Sequence, residues 1–188
     1  ENQFVIAYNI FPNPTDTRTL LPFIESMPTL PKIVVANAGY GSQENLETLD
    51  NLGIDHLIKY NMFDKEQTKK FQKSSKNLNN WDYDAENQIF IHPDGTQYHF
   101  HHVYHPKTTT GYRLEKEMYY PVNRETAPQK SFSFNRKYQY LKENESAKLL
   151  SEDGSALFAC RKIDVEPVFG QIKQNLGFRR THLREKIK

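Results

Sequence analysis

The residues best placed to act on a charged substrate gather towards the end of this chain. The run Arg161-Lys162-Ile163-Asp164-Val165-Glu166-Pro167-Val168-Phe169-Gly170-Gln171-Ile172-Lys173 sets a carboxylate and a lysine seven residues apart, and Asn175, Gly177, Phe178, Arg179 and Arg180 follow it. From Arg161 onwards there are eight basic and three acidic side chains, a local charge of +5 in a chain whose total is +2, which leaves −3 for the rest. Such a concentration is the electrostatic footprint of a phosphate-backbone contact, and it is equally the charge pattern of a solvated helix face. Glu166, directly before Pro167, also has two readings: a reactive carboxylate, or an ordinary first-turn carboxylate favoured by the helix dipole.

A second constellation is His92, His99, His101, His102 and His105, five of the seven histidines. Imidazole is a common zinc ligand, yet no cysteine or carboxylate motif accompanies these, so surface histidines of a β-lobe are the favoured reading over a metal site. Strand alternation predicts His99 and His101 on one face and His102 on the other. Cys160 is the single cysteine, which rules out an internal disulfide framework; it is expected to be a buried small residue. Gly39-x-Gly41 after an apolar run hints at nucleotide binding, but Glu44 stands where the third glycine of that fingerprint belongs.

The elements that must carry these groups can be read from pattern. Phe4-Val5-Ile6-Ala7-Tyr8 is strand-like. Asp16 to Ser26 predicts a short capped helix in which Pro22 is tolerable only early. Lys32-Ile33-Val34-Val35-Ala36-Asn37 reads as a strand buried on both faces, bounded by Pro31 and by Ala38-Gly39-Tyr40-Gly41. Ser42 predicts the cap of a helix over Gln43–Leu52, ended by Gly53, and Asp55 to Tyr60 returns as a strand. Between Asn61 and Lys148 the texture turns polar and aromatic. There Lys65, Lys69, Lys70, Lys73 and Lys76 suggest a helix, Ile89–Ile91 and Gln97–Tyr104 a hairpin about Pro93-Asp94-Gly95, and Tyr112–Tyr120 a third strand. Helices are expected over about Asn144–Phe158 and over Pro167–Asn175, the latter stopped by Gly177. At 188 residues, 37% hydrophobic and 26% charged, with 12 Phe and 11 Tyr, the chain suits one globular domain with an appended lobe. It lacks an apolar run of membrane-spanning length or a signal segment, so a cytosolic protein is expected.

The Glu166-to-Lys173 string with Asn175-Leu176-Gly177-Phe178-Arg179-Arg180 resembles the C-terminal signature of insertion-sequence DDE transposases. Phe11-Pro12-Asn13-Pro14-Thr15-Asp16-Thr17 is similar to the segment before that family's second catalytic strand, and Val34 to Asn45 to the strand itself. The resemblance implies a ribonuclease-H-like α/β fold: a mixed sheet with flanking helices, interrupted by a small β-rich insertion, its first strand lying before Glu1. It implies a division into a first core part (1–60), an insertion (61–148) and a C-terminal helical part (149–188). Two Asp and one Glu hold two Mg2+ or Mn2+ ions in the family, because such a pair needs several carboxylates to offset its charge and stabilises both oxygens of an in-line displacement at phosphorus. Carried over, Glu166 is the third acidic ligand, while Lys173, Arg161, Lys162, Arg179 and Arg180 are DNA contacts. Asn37 stands where the second Asp belongs and leaves a vestigial ligand site, or else simply caps the strand end. The expectation is therefore a transposase catalytic-domain fragment of a family that carries out metal-dependent DNA strand cleavage and transfer, binding transposon ends and target DNA as a homodimer in the bacterial nucleoid, with this chain itself inactive and without bound metal because Asn37 replaces an Asp and the first Asp is absent. A DNA-binding remnant without chemistry is the alternative.

Overall fold

A computed structural model of the chain describes residues 5–13, 15–164 and 166–177. Its centre is a β-α-β unit. Strand β1 (Ile33–Ala36) and strand β2 (Asp55–Ile58) pair in parallel, Ile33 opposite Asp55 and Ala36 opposite Ile58. Helix α2 (Gln43–Asn51) connects them, α1 being Leu20–Glu25. Ser42 Oγ accepts from Asn45 N at 3.2 Å and so fixes the start of α2, and Gly53 at φ 66 ends it in the left-handed conformation that glycine adopts most cheaply.

Helices cover both faces of this small sheet. On one, Leu20 and Ile24 of α1, Leu46 and Leu49 of α2 and Leu141 of α5 (Arg136–Leu150) pack with Ala36 and Ile58, with Val34 at their margin. On the other, Phe158 of α6 (Glu152–Asp164) joins Leu57, Tyr60, Phe63 and Leu149, with Val35 at the margin. Alternation along β1 sends Val34 and Val35 to opposite clusters, as the reading of two covered faces requires. Burial is nonetheless partial, since Ile33 is exposed and only Ala36 is fully inside. A two-stranded sheet leaves β1 with one edge that no described strand pairs.

A buried polar network bolts α5 onto β2. Glu145 is wholly buried, and its Oε2 accepts from Ile58 N at 2.7 Å. Its Oε1 faces His56 Nδ1 at 2.9 Å and Lys148 Nζ at 3.1 Å. The His56 contact is an ion pair too oblique for a regular hydrogen bond. The other ring nitrogen of His56 meets Asp50 Oδ1 at 3.0 Å.

The intervening segment builds a separate antiparallel meander of five strands in sequential order: β3 (Asp82–Asp84), β4 (Ile89–Ile91), β5 (Gln97–Tyr104), β6 (Lys116–Pro121) and β7 (Phe132–Phe134). One face holds an aromatic cluster of Trp81, Phe90, Tyr98, Tyr119, Phe132 and Phe134. At its rim Arg136, the first residue of α5, donates to Glu117 Oε1 at 2.5 Å and to Tyr83 Oη at 2.6 Å, tying the sheet to that helix. The architecture is thus mixed α/β, helices flanking a central sheet interrupted by a β-rich lobe, and compatible with a ribonuclease-H-like fold.

Several sequence expectations need correction. Val5–Tyr8 form no strand and Ile6 and Tyr8 stand exposed, because no described strand lies beside them; Phe4 lies outside the described residues. The Asp16–Ser26 helix is a 3-10 turn (Asp16–Arg18) followed by α1, with Pro22 in the first turn of α1, where its missing N–H has no partner to lose. The five lysines form no continuous helix: α3 (Phe63–Glu66) and α4 (Lys69–Gln72) are single turns separated by the Thr68 cap. The expected third strand is present as β6, and β3 and β7 add two more. The Asn144–Phe158 helix is two helices, because Ser151 Oγ accepts from Gly154 N at 3.1 Å and starts α6 afresh. Cys160 is exposed, not buried. A β-bulge between Phe100 and His102 inserts one residue, which sends His102 outward with His99 and His101 instead of across the sheet. His92 is buried against Trp81, not on the surface.

Candidate functional site

The carboxyl end of β1 is where the predicted site begins. Asn37 follows Ala36 in extended conformation and caps a 3-10 turn (Ala38–Tyr40), its Oδ1 accepting from Gly39 N at 3.0 Å. Thr17 Oγ1 donates to the Gly39 carbonyl at 2.7 Å, while Asn45 Nδ2 donates to Thr17 O at 3.0 Å and Tyr40 O at 2.9 Å. Three stretches of chain thereby converge on one small turn. At Gly41 the Lys59–Tyr60 backbone, just after β2, comes so close that an added Cβ would overlap the Lys59 carbonyl oxygen, which is why glycine is needed there. Tyr138 of α5 donates to Gly41 O at 2.6 Å, and burial of that phenol raises its pKa.

Asp16, which sequence reading took only for a helix cap, lies at the same turn. A Cβ built on Gly39 would lie 3.1 Å from Asn37 Oδ1 and 3.3 Å from Asp16 Oδ2, so a carboxylate and an amide oxygen flank the same glycine. The only hint in the sequence was its place in the Asn13-Pro14-Thr15-Asp16-Thr17 segment.

The C-terminal string is laid out along consecutive turns. Arg161 and Lys162 occupy the last turn of α6, a helix that packs against β1. Arg161 is half-buried, its guanidinium 5.4 Å from the Phe158 ring centroid, and Lys162 is exposed. Glu166 is the first residue of α7 (Glu166–Gly170). Lys173 lies exposed in a π-helical turn, Gln171–Asn175, and Gly177 at φ 67 follows as the expected stop. Arg179 and Arg180 lie outside the described residues. Asn37 and Asp16 are thus brought together at the end of β1, whereas Arg161, Lys162, Glu166 and Lys173 lie on α6, α7 and the π-helical turn.

Beside the Asn37 turn opens a groove of about 990 Å³ between the central sheet and the lobe. Thr17, Gly39 and Ser42 line one wall, and Lys76, Thr110 and Lys116 belong to the other. The lobe is held across it by Tyr112 Oη bonding to Oε2 of Glu47, a residue that also pairs with Lys137 of α5, and by Thr110 Oγ1 donating to Glu44 Oε2 at 2.6 Å. Burial, then the Glu47 contact, pushes the Tyr112 phenol up to about 12.

As a metal centre the described donors do not fit. Two divalent ions require several carboxylates. The end of β1 offers Asp16 and one neutral carbonyl oxygen already engaged by the Gly39 N–H, and among the described residues no three His, Cys, Asp or Glu side chains converge on a cation site. The histidines of the lobe form none either.

A parallel β-α-β layer with helices on both faces and polar groups gathered at the carboxyl end of its first strand defines an α/β domain. The transposase DDE domain family matches residues 1–188, and the chain belongs to that family. Compared with curated proteins and with solved structures, it shows no match. Members of the family act on DNA and typically use divalent metal ions. No helix among the described residues is long and apolar enough to cross a membrane.

Proposed function

We propose that this chain is the DDE domain of an insertion-sequence transposase that holds DNA without cutting it. The observation that carries this reading is Asn37: its amide oxygen serves the Gly39 N–H as a cap, and an amide supplies no anion where the family places an aspartate. Glu166 keeps the third acidic position on this reading. Lys162 at the end of α6 and Lys173 in the π-helical turn, both exposed, and Arg161, Arg179 and Arg180 contact the phosphate backbone of transposon ends and target, with a second copy of the chain on the paired end. Such work places the protein with the DNA in the bacterial cytoplasm. We place the lobe at 61–135 instead of 61–148; the support is that α5 packs on α2 and β2 through Leu141 and Glu145.

The test is incubation of the purified chain with supercoiled plasmid in Mg2+ or Mn2+. Intact plasmid, with duplex binding that weakens steeply with salt, is expected; metal-dependent nicking would overturn the proposal. The Lys162→Ala and Lys173→Ala variants should each flatten the log-affinity against log-salt slope by about one unit. An unchanged slope would remove them from the interface.

A further inference from the structure

The outward face of β5 and β6 carries a pattern that neither the fold nor the proposed site accounts for. Register pairs Tyr98 with Pro121 and Phe100 with Tyr119 on the inner, aromatic face. The alternate positions, which point the other way, pair His99 with Tyr120, His102 with Met118 and Tyr104 with Lys116. The bulge adds His101 to this outward set, and His99, His101 and His102 are all exposed. The rings touch one another: His101 lies edge-on to Tyr120 at 5.2 Å, and the two Nδ1 atoms of His101 and His102 stand 2.7 Å apart. Arg124, from the turn after β6, lays its guanidinium over the Tyr120 ring, 4.3 Å from the centroid.

Imidazole and phenol rings with guanidinium and ammonium groups, and not one carboxylate among the outward positions of these two strands, complement a polyanion with aromatic bases. The outward carboxylates of this sheet, Asp82 and Asp84, sit beyond β4 on the edge strand. Lys116, at one end of the face, also lines the groove that runs to the Asn37 turn, so the surface continues towards the predicted site. We propose that this face binds single-stranded DNA, taking bases on the His101, His102 and Tyr120 rings and phosphates on Arg124 and Lys116. Stacking on rings tolerates any base, so the face would grip an unpaired strand without reading its sequence.

This rests on the reading of the chain as a DNA-binding protein, and the experiment separates the two. Binding of a labelled oligothymidylate and of a labelled duplex is measured by fluorescence anisotropy for the full chain and for three variants: Tyr120→Ala, the exposed triple His99→Ala/His101→Ala/His102→Ala, and Lys69→Ala on α4 as a control for lost charge. The expected result is a loss of about tenfold or more in single-strand affinity for the first two, with duplex affinity and the Lys69→Ala variant unchanged. The triple variant alters only exposed side chains, so its result stands even if Tyr120→Ala disturbs the sheet. Duplex binding with single-strand affinity insensitive to both variants would overturn this inference and leave the proposed function standing. Failure of the unaltered chain to bind either probe would overturn both.

Discussion

His56 has a carboxylate at each ring nitrogen, Asp50 at 3.0 Å and Glu145 at 2.9 Å, an arrangement that favours the doubly protonated ring. Burial works against that charge, but the facing Glu145 carboxylate and then Asp50 outweigh it and raise the pKa above the ordinary histidine value. A raised folded-state pKa fixes the sign. The stabilisation is fully present below the unfolded-chain value of about 6.5 and is lost as pH rises through the higher folded-state value. Urea midpoints should therefore fall as pH climbs from about 6 into the alkaline range, and His56→Gln should lose that dependence together with about 3 kcal/mol, since Glu145 then stays buried with one cation fewer. A variant that kept the wild-type pH profile would show that another group titrates. Asn37→Asp is the complementary change. The carboxylate can still accept from Gly39 N, yet it adds a second anion beside Asp16, a repulsion of about 1 kcal/mol. Its melting temperature should drop at low salt and recover with added Mn2+; a melting temperature equal to that of the parent would refute the proximity of the two oxygens.

Among the elements, those whose signals are local were legible from sequence. Ser42 and Gly53 bracket α2, Ile33–Ala36 is β1, and Pro93-Asp94-Gly95 turns the β4–β5 hairpin, because caps, β-branched runs and turn residues act within a few positions of themselves. What escaped depended on distant partners. The bulge that redirects His102 is set by the register against β6, and Asp16 joins Asn37 only through the fold. The joint between α5 and α6 was legible in principle, since Ser151 followed by Glu152 and Asp153 is a helix start. At that joint a Cβ on Gly154 would overlap the Lys148 carbonyl oxygen, and backbone cannot yield as a flexible side chain can. Gly154→Ala should cost about 2 kcal/mol in chemical denaturation. Gly170, with open space around it and helical dihedrals, is the contrasting case, and alanine there should be neutral or stabilising by up to about 1 kcal/mol. Equal effects at the two glycines would refute the tight corner.

The whole molecule is two packed regions joined by a few polar ties. Glu47 receives both Tyr112 and Lys137, and these contacts hold its carboxyl below the usual range although burial opposes them. Removing one hydroxyl with Tyr112→Phe should speed amide exchange around Lys107–Arg113 while the global unfolding midpoint moves little; exchange at the parent rate would mean that this tie does not hold the lobe. Legibility fell at this scale too, for the sequence marked the lobe by its texture but not how it is fastened.

Trp81 is the single tryptophan of the chain, edge-on to His92 and Phe132 within the aromatic cluster, with its Nε1 donating to Ser75 O at 2.7 Å. The molecule therefore carries a built-in optical reporter that sees the meander and is blind to the β-α-β layer, whereas the far-ultraviolet dichroism of the helices is weighted towards that layer. Following both signals through one denaturant titration would read the two regions separately in an unlabelled, unmodified protein, and the gap between the curves would measure how tightly one feels the loss of the other.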